Sequence, residues 1–456
     1  MFFQLPLELQ RQCVQSLDVA TLKSFRVVNK SALALATESL FSTVNLLPTD
    51  GSAEKYSHIL NDARLKLLVR RAIFNTSEDP LDDDREHEEK AKFLRSFKDV
   101  MLSVSKFPRL KEVELKFSRA CSMPSSWDRY GAEVAESRHF RISVLNSFFA
   151  GLREAREPGV HVESLSIKNL QDGTDKRVYD SKAFQAVVGK VKRLHLQIAT
   201  EDDESAPENN IDFESCQNFF RVSLPGQWLK PLQSQLTHLT LYAGQMHWGF
   251  WPFCDLRGIH FPALKSLALG NWTIVHEWQI DWLLSHGSTL EELILDECPI
   301  VTALRMSDKQ IKLYWPDLPN LWTNRFGDGH YFKEVSIRWH HVLPRFQTSL
   351  PHLGRFAMGR GDWRRQTMFE DRYEMVNKCL WGRYYMFQRS EWIAGDDHWV
   401  VAPRYGDPPE GPVRKYSFRM GGQNTIDVLF PTCDEEDMEA LIKLLDAVEE
   451  RAIAKV

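Results

Sequence analysis

LEELILDECPI, from Leu290 to Ile300, carries leucine at its first, fourth and sixth positions and a cysteine three residues later. Residues alternate faces along a strand, so Leu293 and Leu295 share one face and Ile294 takes the other. Cys298 follows where the chain leaves the strand, and a free cysteine behaves there as a small apolar side chain. The same frame, apolar-x-x-apolar-x-apolar, recurs along the chain. It reads Leu110/Val113/Leu115, Val162/Leu165/Ile167, Val191/Leu194/Leu196 and Leu236/Leu239/Leu241. It continues as Leu264/Leu267/Leu269, Phe332/Val335/Ile337 and Leu353/Phe356/Met358, with a weaker version between Leu68 and Ile73.

The steps from Val162 to Val191, from Leu236 to Leu264 and from Leu264 to Leu290 all fall within the period of a leucine-rich repeat, roughly 20–29 residues. The steps from Leu110 to Val162 and from Leu290 to Phe332 are longer. The complete copy at Leu290 is the leucine-rich-repeat pattern. Between frames, Trp278, Trp282 and Leu283 fall at helical spacing in 276–284, as do Phe140, Val144, Leu145, Phe148 and Leu152 in 139–155. Strand and helix alternating in a short period predict an α/β chain built as an irregular leucine-rich-repeat-like solenoid over residues 60–430. Acidic stretches at about 78–89 and 201–214 read as solvated insertions, since they lack the D-x-D-x-D-G order of a calcium loop. At the C-terminus, Thr432-x-x-Glu435 has the form of a capping box. Met438, Leu441, Leu445 and Val448 then predict a capping helix over 432–453.

Residues 1–44 differ. Pro6 suits a helix start, and Leu9, Cys13 and Leu17 recur every four residues. Asp18 or Thr21 is placed to cap a second helix, and Asn29 or Ser31 to start a third. So short a helical segment must pack on something else. Leu5-Pro6-x-Glu8-Leu9, followed by Leu17, Leu22, Phe25, Arg26, Val28, Asn29, Lys30 and Ala36, resembles an F-box, in the form found at the start of many filamentous-fungal F-box proteins. Thr21 stands where an acidic residue is common, and Cys13 where isoleucine or leucine is usual. The segments FPALKSLALGNWTIVHEWQIDWLLSHGSTLEELILDECPI and RWHHVLPRFQTSLPHL resemble the same proteins. The resemblance implies docking to a Skp-type adaptor, and through it to a cullin ubiquitin ligase, with Leu5, Pro6, Leu9, Leu17, Leu22 and Phe25 forming an exposed apolar face. It further implies that the repeat region holds an unknown protein target. The alternative is a repeat scaffold that binds a protein partner without any ligase.

Composition narrows the remaining classes. A net charge of −5, from 57 basic and 62 acidic residues, gives no electrostatic footprint for nucleic acid. No apolar run reaches the roughly 20 residues that span a bilayer. The opening lacks the basic and apolar regions of a secretory signal. Seven scattered cysteines without a C-x-x-C pair read as reduced thiols of an intracellular protein, cytoplasmic or nuclear. No G-x-S-x-G, Walker or H-E-x-x-H motif occurs, so neither catalytic residue nor cofactor is expected. Gly354–Gly361 lacks the G-K-[ST] of a phosphate cradle. Asp328, His330, His340 and His341 form one His/carboxylate cluster; on a strand the adjacent histidines would face apart, so no metal is expected. Twelve of the 14 tryptophans lie at or after Trp248 and read chiefly as core filling. The residues between the last two frame positions are expected on the open face of the curve, from Glu114, Ser166, His195 and Thr240 onward. Tyr242, Ala268, Ile294, Asp296 and Arg338 on that face are the expected partner-binding residues.

Overall fold

The computed structural model describes residues 2–77, 93–119, 121–122, 136–153, 162–200, 214–244, 246–308, 311, 329–361, 382–388, 399–401, 415–419 and 424–454. The two acidic stretches expected as insertions lie outside these residues, except Glu214. The chain is mixed α/β with a large parallel sheet. It forms two compact units: residues 1–119, 124–168 and 175–191, and residues 120–123, 169–174 and 192–456.

The first unit opens with three helices, α1 (Leu7–Gln15), α2 (Val19–Phe25) and α3 (Lys30–Leu40). The parallel strands β1 (Thr43–Leu46), β2 (Arg71–Asn75), β3 (Glu112–Lys116) and β4 (Ser164–Gln171) follow; the last continues into the second unit. Helices α4 (Asp50–Asn61), α5 (Arg95–Leu102) and α6 (Arg138–Arg153) lie between them in sequence. The register follows the frames: Leu46, Phe74, Leu115 and Ile167 stand side by side, as do Val44, Ala72, Val113 and Leu165. All eight are buried. The weak frame is thus Val69/Ala72/Phe74, one residue beyond the Leu68 start expected for it.

The second unit repeats the device. Strands β5 (Arg193–Ala199), β6 (His238–Ala243), β7 (Ser266–Gly270), β8 (Glu292–Asp296) and β11 (Arg355–Gly359) are parallel neighbours. Leu293 pairs with Leu267 and Leu295 with Leu269, as the frame predicts, and all four are buried. Strand entry is standardised too. Lys265 and Ser266 both donate their N–H groups to the Thr237 carbonyl, Glu291 and Glu292 to that of Lys265, and Gly354 and Arg355 to that of Glu291. In the first unit Arg70 and Arg71 likewise donate to the Ser42 carbonyl, and Lys111 and Glu112 to that of Arg70. Strand exit recurs at Asn169, Asn271 and Glu297, each two residues past its last frame position, with φ of 57°, 56° and 46°. Asparagine tolerates this left-handed conformation better than most residues. At Glu297 an N–H···O bond of 2.8 Å to Gly359 helps hold it.

One frame fails. Phe332/Val335/Ile337 is not in the parallel sheet. Its strand β10 (His330–Glu334) runs antiparallel to β9 (Ile300–Ser307) in a second sheet, ordered β10-β9-β12-β13 with β12 (Tyr384–Gln388) and β13 (Trp399–Val401). The apolar triplet is real, since all three are buried. The strand ends at Glu334, however, and Ile337 leads instead into helix α8 (Trp339–Ser349). Helix α7 (Glu277–Leu284) forms where expected, its His276–Gln279 capping box in place. The hairpin β14 (Lys415–Arg419) and β15 (Thr425–Leu429) precedes the terminal helix α9 (Asp434–Ile453). That helix begins after Cys433, which caps without a side-chain bond, so the Thr432 capping box is not made. It buries Asp437, Ala440, Leu441, Leu444 and Val448 and packs on α8, where Arg451 donates to the Leu350 and Gln347 carbonyls. Met438 and Leu445 are only half-buried on that face. Among the described residues, Trp228, Trp248, Trp251, Trp272 and Trp339 are fully buried in the core.

Candidate functional site

Helices α1 to α3 share a small core of Val14, Leu22, Leu35 and Ala36, closed by Phe2, Leu17, Phe25 and Leu40. Polar residues fix the helix ends. Asp18 accepts from the Thr21 N–H at 2.9 Å and its hydroxyl at 2.8 Å, which hold the carboxyl below its ordinary range. Asn29 accepts from the Ala32 N–H at 2.8 Å to start α3. Pro6 stands one position earlier than a first helical residue, as the N-cap of α1, and its carbonyl accepts from the Gln10 N–H. Arg11 reaches Glu38 across α1 and α3 at 3.2 Å.

With its interior so filled, the segment leaves many apolar groups outside. Phe3, Leu5, Leu7, Leu9, Val19, Val27, Val28 and Leu33 are all exposed, Leu9 at 46% and Val27 at 84%. These are eight of the thirteen exposed large hydrophobic side chains among the described residues. Of the residues expected on an adaptor face, Leu5, Pro6 and Leu9 are on the surface. Leu17 and Phe25 are partly buried against the small core. Leu22 is a correction: at 4% exposure it is a core residue, because α2 turns it toward Val14, Leu35 and Ala36. Phe3, Leu7, Val19 and Val27 go unnoticed in a reading that follows the i, i+4 stripe, and Val28 and Leu33, though apolar, are not counted in the expected adaptor face. The stripe itself does not point inward: Leu9 and Cys13 are exposed, and α1 buries Gln10 and Val14 instead.

The expected partner face is also corrected. Glu114, Ser166, His195, Thr240, Ala268 and Ile294 are all buried, Ile294 at 0%. Strands of a parallel sheet are commonly covered on both faces, and Ala268 and Ile294 are themselves apolar, which is the trace of it in the sequence. Tyr242, Ala268 and Ile294 form one buried cluster with Ala357 against it. The Tyr242 ring lies across Gly270, where an added Cβ would fall 1.8 Å from Cδ2. Asp296 is buried and its Oδ2 accepts from the Gly361 N–H at 2.9 Å. Arg338 is on no strand: it stands at the start of α8, where Nη1 donates to the Val335 and Ile337 carbonyls, both at 2.7 Å.

A polar cluster lies at the base of α9. Asp437 Oδ1 accepts from the backbone N–H of His340 at 2.9 Å and lies 2.9 Å from its Nδ1. Oδ2 accepts from Arg383 Nε at 3.0 Å and lies 3.5 Å from Cys433 Sγ. His340 and His341 occupy the first turn of α8, not a strand, so the argument that strand geometry drives them apart does not apply; their ring centroids lie 4.1 Å apart. Asp328 is outside the described residues.

Neither a protein-family model nor a curated protein matches the chain. Among the described residues, no helix is long and apolar enough to cross a membrane.

Proposed function

We propose that this chain is the substrate-recognition subunit of a cullin–Skp–F-box ubiquitin ligase. Residues 1–44 act as the F-box that docks a Skp-type adaptor. The frames over residues 60–430, apart from Phe332/Val335/Ile337, form an irregular leucine-rich-repeat-like solenoid that holds a protein target, and the terminal helix covers its last strand. Transfer of ubiquitin belongs to the partners, and this chain supplies proximity.

The observation that carries the reading is the crowding of exposed apolar side chains between Phe3 and Leu33, around a segment whose own core is already filled. Exposed apolar side chains gathered on so short a segment are candidates for an interaction site. Covering the remaining surface of a half-exposed leucine is worth about 1 kcal/mol, so several together make a stable dock. The solenoid reading is supported by the constant register, the shared-carbonyl strand entries and the left-handed residue at the same exit position of three frames.

The test is capture of a purified Skp-type adaptor by the full chain. Leu5→Asp with Leu9→Asp removes two surface leucines without touching the small core. Capture should fall to background while circular dichroism and melting stay at wild-type values. Wild-type capture by the double variant sinks the proposal.

A further inference from the structure

We infer that His340, Cys433 and Asp437 form a transition-metal site of the zinc class that clasps the start of α9 to the start of α8. His340 Nδ1, Cys433 Sγ and the Asp437 carboxylate all lie within 4.8 Å of one another. Ligands of a tetrahedral zinc ion sit roughly 2.0–2.3 Å from the metal, and so about 3.3–3.8 Å from one another. The 2.9 Å from Nδ1 to Oδ1 and the 3.5 Å from Sγ to Oδ2 are within a small side-chain adjustment of that geometry. A nitrogen, a sulfur and a carboxylate oxygen suit zinc or cobalt rather than magnesium or calcium, which take oxygen ligands.

The surroundings have the form of a second coordination shell. Asp437 is fully buried. It is fixed on Oδ1 by the His340 backbone N–H and on Oδ2 by Arg383 Nε, an arrangement that orients a ligating carboxylate. Arg383 also pairs with Asp434, and its carbonyl accepts from Trp339 Nε1 at 3.1 Å, so both its side chain and its backbone are held. Tyr384 Oη lies 3.5 Å from Cys433 Sγ while accepting from the Trp339 N–H. With three protein ligands, the fourth tetrahedral position falls to water.

On binding, the Cys433 S–H bond breaks, an S–metal bond forms and one proton leaves to solvent. His340 moves its proton from Nδ1 to Nε2, freeing the Nδ1 lone pair for the metal.

The test uses the full chain stripped with a chelator and titrated with Co2+, then with Zn2+. One equivalent of Co2+ should give the thiolate charge-transfer band and the strong visible bands of a tetrahedral sulfur-ligated site. Zn2+ should displace it and raise Tm. Cys433→Ser should abolish the charge-transfer band, and His340→Ala should weaken binding at least about tenfold. Cys13→Ser, which removes an exposed thiol, should change neither. No band at one equivalent, a band that survives Cys433→Ser, or a band lost in Cys13→Ser overturns the inference.

Discussion

Leu293 stands between Leu267 on one neighbouring strand and Phe356 on the other, and it is wholly buried. Its truncation to alanine should cost about 2–5 kcal/mol, the usual range for a buried leucine, read as a fall in the urea midpoint of the second unit. Ile294, on the opposite face of the same strand, is equally buried. Ile294→Arg should therefore unfold that region, since it forces an unpaired charge into an apolar cluster. Solubility and melting will show this before any binding assay does. The frame leucines are legible in the sequence because their spacing repeats. The burial of Ile294 is not, because alternation fixes which face a residue takes but not what covers that face. His286 adds a pH dependence. It is buried, accepts from the Phe261 N–H at 3.3 Å and stacks on the ring of His260. Burial, then the neighbouring His260, pushes it from 6.5 to about 4. His247 and His276 are pushed to about 4 as well, chiefly by burial. Between these two values the unfolded chain takes up protons that the folded one refuses. Their contribution is therefore full above the unfolded value and is lost as pH falls toward the folded one. Urea midpoints should drop across that window. His286→Gln should flatten the drop, and an unchanged slope would remove His286 from the account.

Among the elements, local chemistry and tertiary packing agree best in α6 and α7, which begin and end within a few residues of their apolar spacing. The sheet containing β9, β10 and β12 leaves no such trace, because it joins strands far apart in the chain, with Val301 opposite Tyr385. Sequence spacing carries no record of such pairings. The terminal helix differs more subtly. Its apolar stripe is real, but the packed face is rotated to take in Asp437 and Leu444, because Arg383 and His340 hold Asp437 inward. In the N-terminal segment, Asn29 is the cap that ties the end of the α2 turn to the first turn of α3. Asn29→Ala should cost about 0.5–2 kcal/mol. The loss should appear as faster hydrogen exchange in Lys30–Leu40, while exchange in Glu292–Asp296 stays at wild-type rates. Equal acceleration in both would mean that the cap is not a local device.

At the scale of the molecule, charge and apolar surface separate two kinds of docking. The chain is close to neutral, with 57 basic and 62 acidic residues, so no strong field steers a partner from a distance. What the proposed dock uses in the segment from Phe3 to Leu33 is its exposed apolar side chains, which stand among exposed charged ones such as Glu8, Lys23 and Lys30. Binding through such surface is not screened by ions, whereas exposed ion pairs weaken once the Debye length falls from about 10 Å at 0.1 M salt to about 3 Å at 1 M. Burial of apolar area also gives a negative heat-capacity change, the most robust marker of that kind of contact. Calorimetric titration of the full chain with a Skp-type adaptor should therefore show a clearly negative ΔCp between about 10 and 35 °C. The Kd should change less than about tenfold from low salt to about 1 M. Leu5→Asp with Leu9→Asp should remove the heat of binding altogether. Leu22→Asp should remove it too, but only together with the fold of α1 to α3, since Leu22 fills their shared core. The pair thus distinguishes a lost surface from a lost scaffold. A strongly salt-dependent Kd with ΔCp near zero would mean that the adaptor grips charged groups instead, and the apolar surface of the first helices would need another occupant.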